Sequence, residues 1–342
     1  MHDEPTTRLD LFIRELPKVE LHLHLEGSVQ PGTLDELARS KGRLVKETRE
    51  WISERDRRGY RYKNFQDFLQ AFKFVTLLLD TPGDYALATT RLIGELARHN
   101  VRYAEITFSA GIVLWKKQPL EPIFQAVVSA AREAQQSSGV RVQWIFDAVR
   151  QFGAGHVREV MRWAARLRPQ GVVALGIGGD EANGPAELFT EVFREAREMG
   201  LHVVAHAGEA CGPESVRKAV EMLGAERIGH GLTAARDTGV LALLRDRRIP
   251  LEVCPTSNVA TGVLARLEDH PLPRFLEAGV VVTLNTDDPA MFGTNLEQEY
   301  LLAAKTFALS REQVLGLCRN AVRAAFLPEP GKLALLALMP ES

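Results

Sequence analysis

Short apolar, β-branched runs recur along the chain, separated by longer segments whose apolar residues return every three or four positions. Such alternation is the sequence habit of βα units wound around a parallel sheet. Eight runs read as strands: Lys18 to Leu25, Val101 to Phe108, Val140 to Val149, Gly171 to Ile177, Leu201 to His206, Arg227 to His230, Pro250 to Cys254 and Val280 to Asn285. Segments between them, including Glu121 to Gln136, Pro185 to Met199, Pro213 to Leu223 and Thr238 to Asp246, carry the helical period. Several open on a proline or an acid, and Gly200 and Gly279 stand where helices should stop. The count and order favour an α/β fold of the (β/α)8 TIM barrel type over a doubly wound sheet.

One stretch breaks the alternation. Thr33 to Asp80, after the first strand, holds more than one helix-length pattern, and WISERDRRGYRYKNFQDFLQAFKF within it mixes aromatics with charges. It reads either as a helical lid over the catalytic end or as an appendage packed on the barrel wall. No repeat, low-complexity tract or linker rich in Pro, Gly or Ser divides the chain, so a single domain over residues 1–342 is expected.

Composition narrows the partners. With 45% hydrophobic and 25% charged residues the chain can bury a sizeable core, and a net charge of -2 gives no basic excess to draw it to nucleic acid or an anionic membrane. Cys211, Cys254 and Cys318 lie too far apart for a metal knuckle or a disulfide framework, which suits a reducing cytoplasm. The acid-bearing N-terminus lacks a signal-peptide core, and no stretch approaches the roughly 18 apolar residues of a membrane span. Composition says nothing about oligomeric state.

Polar residues interrupt the apolar runs at their C-terminal ends, where barrel enzymes assemble their sites. His22 and His24, two apart on one strand, leave the same face and can converge on one point. His206 ends the fifth run in HAGE, with Glu209 three residues on; His230 ends the sixth between Gly229 and Gly231; Asp287 and Asp288 follow the eighth. Three histidine nitrogens and a carboxylate suit Zn²⁺ or Fe²⁺, Co²⁺ or Mn²⁺, whereas Mg²⁺ and Ca²⁺ want mostly oxygen. Zinc is the default expectation, with an open position for water whose pKa it lowers to roughly 7.

These motifs belong together elsewhere. HLHLEGS (22–28), GGDE (178–181), HAGE (206–209), GHG (229–231), CPTSN (254–258) and LNTDDP (284–289), in this order, resemble the adenosine deaminase family of the amidohydrolase superfamily. The resemblance implies one zinc per chain on His22, His24, His206 and Asp287. It implies that Glu209 protonates N1 of an adenine ring, that His230 positions the attacking water, that Asp288 meets N7 and that the Gly179 amide reaches N3. His24 and Glu26 would also face the substrate. The implied reaction replaces the 6-amino group of an adenine nucleoside, such as adenosine or deoxyadenosine, by a 6-oxo group, with release of ammonia.

Glu26 departs from the pattern, because family members acting on adenosine usually carry Asp there to meet the ribose 5′-hydroxyl. Glu is common in relatives acting on free adenine or on aminodeoxyfutalosine, a menaquinone precursor. CPTSN and LNTDDP resemble the nucleoside branch more than the CPLSN and NSDDP of adenine-specific relatives. Glu26 would then project from the strand's mouth toward the 5′ position and set the choice of nucleoside. A dinuclear amidohydrolase would need a bridging lysine, and none ends the third, fourth or fifth run. A non-catalytic relative would have lost Glu209 or a ligand, and all are present.

Overall fold

The structure is a computed structural model that describes residues 7–41, 62 and 65–340. Eight parallel strands follow chain order: β1 (Lys18–His24), β2 (Val101–Phe108), β3 (Arg141–Val149), β4 (Val172–Gly178), β5 (His202–Ala207), β6 (Arg227–His230), β7 (Leu251–Val253) and β8 (Val282–Leu284). The seam between β8 and β1 closes by other means. One parallel bridge joins Leu23 to Asp287, and the Asn285 Oδ1 accepts from the backbone N–H groups of Leu21 and His22 at 3.0 and 3.1 Å. The architecture is the expected TIM barrel, a nearly closed ring of strands with helices around it.

Strand positions match the expected runs, but β7 and β8 are only three residues each. Pro250 has no N–H for the ladder. The Val280 N–H turns back to the Phe275 carbonyl of the preceding helix at 3.0 Å. The outer helices form from the expected apolar stripes. In Leu120–Ser138 the stripe of Leu120, Ile123, Phe124, Val127, Val128 and Ala131 is buried, and the helix stops where Gly139 adopts φ 73. Among the described residues no helix is long and apolar enough to cross a membrane.

Of the insertion expected over 33–80, the helices Pro31–Ser40 and Phe65–Leu78 are described, while 42–61, 63 and 64 lie outside the described residues. Helix Phe65–Leu78 lies at the C-terminal mouth of the barrel. Its Phe72 ring meets the His24 ring edge-on at 6.3 Å, and its Phe68 ring packs 5.2 Å from Phe292.

Inside the barrel, below that mouth, sits a paired ionic layer. Arg227 is 1% exposed and meets Glu105 Oε2 at 2.7 Å and Glu252 Oε1 at 2.5 Å. The Tyr103 hydroxyl donates to Glu105 Oε1 at 2.9 Å, and the Phe326 ring covers the guanidinium at 3.8 Å. Buried charges survive here because each has an opposite partner at contact distance.

Candidate active site

Above the ionic layer, side chains from β1, β5 and β6 and from the turn after β8 converge. The His22 ring lies 5.5 Å from His24, 4.6 Å from His206 and 5.1 Å from His230, centre to centre. Asp287 Oδ1 is 3.4 Å from His22 Nε2 and 3.3 Å from His24 Nε2, and its Oδ2 is 3.9 Å from His230 Nε2. One donor atom each from His22, His206, His230 and Asp287 falls within a 4.8 Å cluster among the described residues. The tightest geometric set thus contains His230, where the sequence resemblance implied His24. Both rings border the same centre.

The ligand atoms are aimed by groups behind them. Glu252 Oε2 accepts from His22 Nδ1 at 2.9 Å, which leaves Nε2 pointing inward and buried, with only the Asp287 carboxylate beside it. His206 Nδ1 is 3.3 Å from the Ile177 carbonyl, and the Ser257 hydroxyl donates to Asp287 Oδ2 at 2.7 Å. A carboxylate behind a histidine and an orphaned imidazole nitrogen in front of it form the arrangement that divalent ions use. Burial opposes charge on His22 and His24, yet nearby carboxylates outweigh it, Asp287 and Glu252 for the first and Asp288 and Asp287 for the second. They raise the two to about 10 and about 9.

Backbone strain gathers at the same place. His230 and Asp287 have φ values of 61 and 65, in the left-handed region that non-glycine residues rarely occupy. Room is made by glycine. A Cβ on Gly229 would lie 2.6 Å from His22 Cε1, and one on Gly27 would lie 1.6 Å from Asp288 Oδ1.

Two acids flank the cluster. Burial, then the Asp287 and Glu181 carboxylates, pushes Glu209 well above the usual carboxyl range; burial, then Asp287, does the same to Asp288. Glu209 Oε2 stands 3.7 Å from His230 Nε2. Its loop is shaped by Glu181, whose carboxylate accepts from the backbone N–H of Gly208, Ala210 and Cys211 at 2.5, 2.9 and 3.0 Å and from the Ser215 hydroxyl.

A cavity of about 370 Å³ opens over this floor, with Glu209, Asp288 and four of the converging groups at its base and Gly179 on its wall. Phe68, Leu69, Phe72 and Lys73 of helix Phe65–Leu78 bound its outer side. Glu26 is placed differently from the expectation. It is 0% exposed, opens the short helix Glu26–Ser28, and accepts from the Ser109 backbone N–H at 3.1 Å; Ser109, not Glu26, lines the cavity. Sequence reasoning missed Glu252, Glu181 and a buried wall residue, Asp147. Only Glu181 had a signal, as the last residue of GGDE.

Comparison with known proteins settles the lineage. Residues 17–341 match the family model described as adenosine deaminase. The chain belongs to the adenosine deaminase family. It is 41% identical over 332 residues to the aminodeoxyfutalosine deaminase of Streptomyces avermitilis, covering 96% of this chain and 92% of that one. It is 35% identical over 322 residues to the adenosine deaminase of Escherichia coli, covering 94% and 96%. The crystal structure of adenine deaminase from Arthrobacter aurescens superposes with a TM-score of 0.88 at 29% identity, covering 94% of this chain and 98% of that one. The protein is thus an aminohydrolase of a metal-dependent family, and its His/Asp cluster lies at the mouth of the barrel that this family shares.

Proposed function

We propose that the enzyme hydrolyses the C6–amino bond of an adenine nucleoside, giving the 6-oxo purine and ammonia, with one zinc ion held by His22, His24, His206 and Asp287. The observation that carries this reading is the pair of buried acids, Glu209 and Asp288, that line one cavity with the His/Asp cluster, their carboxyls pushed well up by burial. Aromatic C6 is a poor electrophile, so attack needs N1 to be protonated, and a buried carboxylic acid kept neutral at pH 7 can deliver that proton. Glu209 does so, while Asp288 donates to N7 and holds the ring flat against the cluster. When bound, zinc supplies the Lewis acidity that makes water nucleophilic near neutral pH.

His230 is assigned to orienting water rather than to the metal because of its second nitrogen. The Asn258 amide nitrogen lies 3.2 Å from His230 Nδ1; with that amide donating, Nδ1 accepts and the hydrogen is assigned to Nε2. An Nε2 that carries the hydrogen cannot ligate, but it can donate to the oxygen of the water and hold it toward C6.

The relatives bear on the nucleoside. The named aminodeoxyfutalosine deaminase shares more identity with this chain than the named adenosine deaminase does, 41% against 35%. That favours a second reading in which aminodeoxyfutalosine is the substrate of the same chemistry. With Glu26 set behind the wall, its influence on that choice would run through Ser109. The insertion helix Phe65–Leu78 would act as part of a lid.

The test is ammonia release from adenosine, deoxyadenosine, aminodeoxyfutalosine, methylthioadenosine and adenine, compared as kcat/KM. Turnover of at least one nucleoside well above adenine is expected, and the ranking selects between the two substrates. Adenine as the best substrate would overturn the nucleoside reading.

A further inference from the structure

Asp147 lies near the C-terminal end of β3, lines the cavity and is 7% exposed. No described residue donates a hydrogen bond to it, and its Oδ1 is buried without a partner. Arg150, three residues on, does not serve it: the guanidinium donates to the carbonyl oxygens of Gly184 at 2.7 Å and His206 at 2.5 Å. Burial raises the Asp147 carboxyl to about 6, opposed first by the charge of His24, so above that pH it is an anion without a donor among the described residues. A buried acceptor left unpaired costs stability unless something entering the site brings the hydrogen.

Its surroundings keep that approach open. On neighbouring β4, Gly176 pairs with Asp147, and a Cβ on Gly176 or Gly178 would sit 3.3 Å from Oδ1 or 3.5 Å from Oδ2. Gly179 follows directly after β4, so its amide and the Asp147 carboxylate border adjacent parts of the wall. In the deamination reading Gly179 meets N3, which shares its neighbour C4 with N9 on the purine. What hangs from N9 then faces β3, and the donors a nucleoside carries there are sugar hydroxyls.

We propose that Asp147 is a specificity-determining residue that accepts a hydrogen bond from a 2′- or 3′-hydroxyl of the nucleoside sugar. It rests on the deamination reading for the orientation of the purine. Asp147 thereby favours nucleosides over free bases and ribosides over the deoxy form lacking the contacted hydroxyl.

The test measures binding and turnover separately. Affinities of wild type, Asp147→Asn and Asp147→Ala for inosine, 2′-deoxyinosine, 3′-deoxyinosine and hypoxanthine are taken by calorimetry, and kcat/KM is taken on adenosine and its two deoxy forms. Removing a charged acceptor of a buried hydrogen bond should weaken inosine by about 10- to 100-fold in Asp147→Ala and leave one deoxyinosine and hypoxanthine nearly unchanged. Metal content should hold, and Asp147→Asn should melt no lower than wild type above pH 7, because it removes an unpaired buried charge. Equal losses for inosine and both deoxyinosines, or no loss for any, would overturn the role. Failure of the deamination reading looks different: no ammonia from any nucleoside with wild type, whatever the affinities.

Discussion

Two polar layers are stacked in the same barrel, and they are built on opposite principles. In the lower one Arg227, Glu105, Glu252 and Tyr103 answer one another at 2.5 to 2.9 Å. In the upper one Asp288 Oδ1 and Asp147 Oδ1 are buried with no cation or hydrogen-bond donor at contact distance among the described residues, His22 Nε2 has only the Asp287 carboxylate at 3.4 Å, and two residues hold left-handed backbone beside them. Both layers are buried, the upper one beneath the cavity. The difference is completeness: the lower layer's charges are paired by the protein itself, while the upper, in the reading we propose, is completed by a cation and a substrate. Unsatisfied polar atoms inside a well-packed fold mark where ligands belong. Glu252 joins the layers, with one oxygen on Arg227 and the other on His22.

The largest effect expected is from removing the metal, which takes away what the upper layer is built to receive. Dialysis against a chelator should abolish ammonia release, and about one equivalent of zinc per chain should restore it. Retention of full activity after chelation, or a need for two ions, breaks the comparison at its upper end.

Arg227→Met attacks the lower layer instead. It leaves Glu105 and Glu252 buried without their shared cation, so denaturant unfolding should show a loss of about 3 to 5 kcal/mol. A loss below about 1 kcal/mol would mean that the lower layer is not holding the barrel. Glu252→Gln tests the junction with a smaller change. The amide fills the same space but no longer fixes His22 as strongly, so metal affinity should drop about 10- to 100-fold, with kcat at saturating metal changed less. Unchanged affinity would separate the layers.

The sequence exposed the upper layer far better than the lower. His22 and His24 stand out because a strand alternates sides, and any pair two apart shares a face. Arg227, Glu105 and Glu252 read as ordinary charges near strands, since what makes them tolerable inside is a partner on another strand, which no single run displays. Glu26 shows where alternation stops being a guide. β1 ends at His24 and the chain turns into a short helix at Glu26, so the two-residue period no longer tells which way the side chain points. Asp147 left no trace because one acid in WIFDAVR has nothing beside it to mark it as cavity-facing. The positions of β7 and β8 were legible, but not their lengths, which depend on Pro250 and on the capping of a neighbouring helix.

Glu209→Gln puts the distinction between the layers to its most direct test, because it removes one acidic proton from the unfinished layer and changes almost no volume. Unfolding free energy and kcat are measured on the same preparation, with metal content checked. The expected result is a stability equal to or above the parent, since a buried acid crowded by Asp287 and Glu181 is replaced by a neutral amide, together with a fall in kcat of about 10²- to 10⁴-fold, about 3 to 5 kcal/mol in the barrier. Turnover within a few-fold of the parent would contradict Glu209 as the proton donor, and a stability loss like that of Arg227→Met would place it with the lower layer.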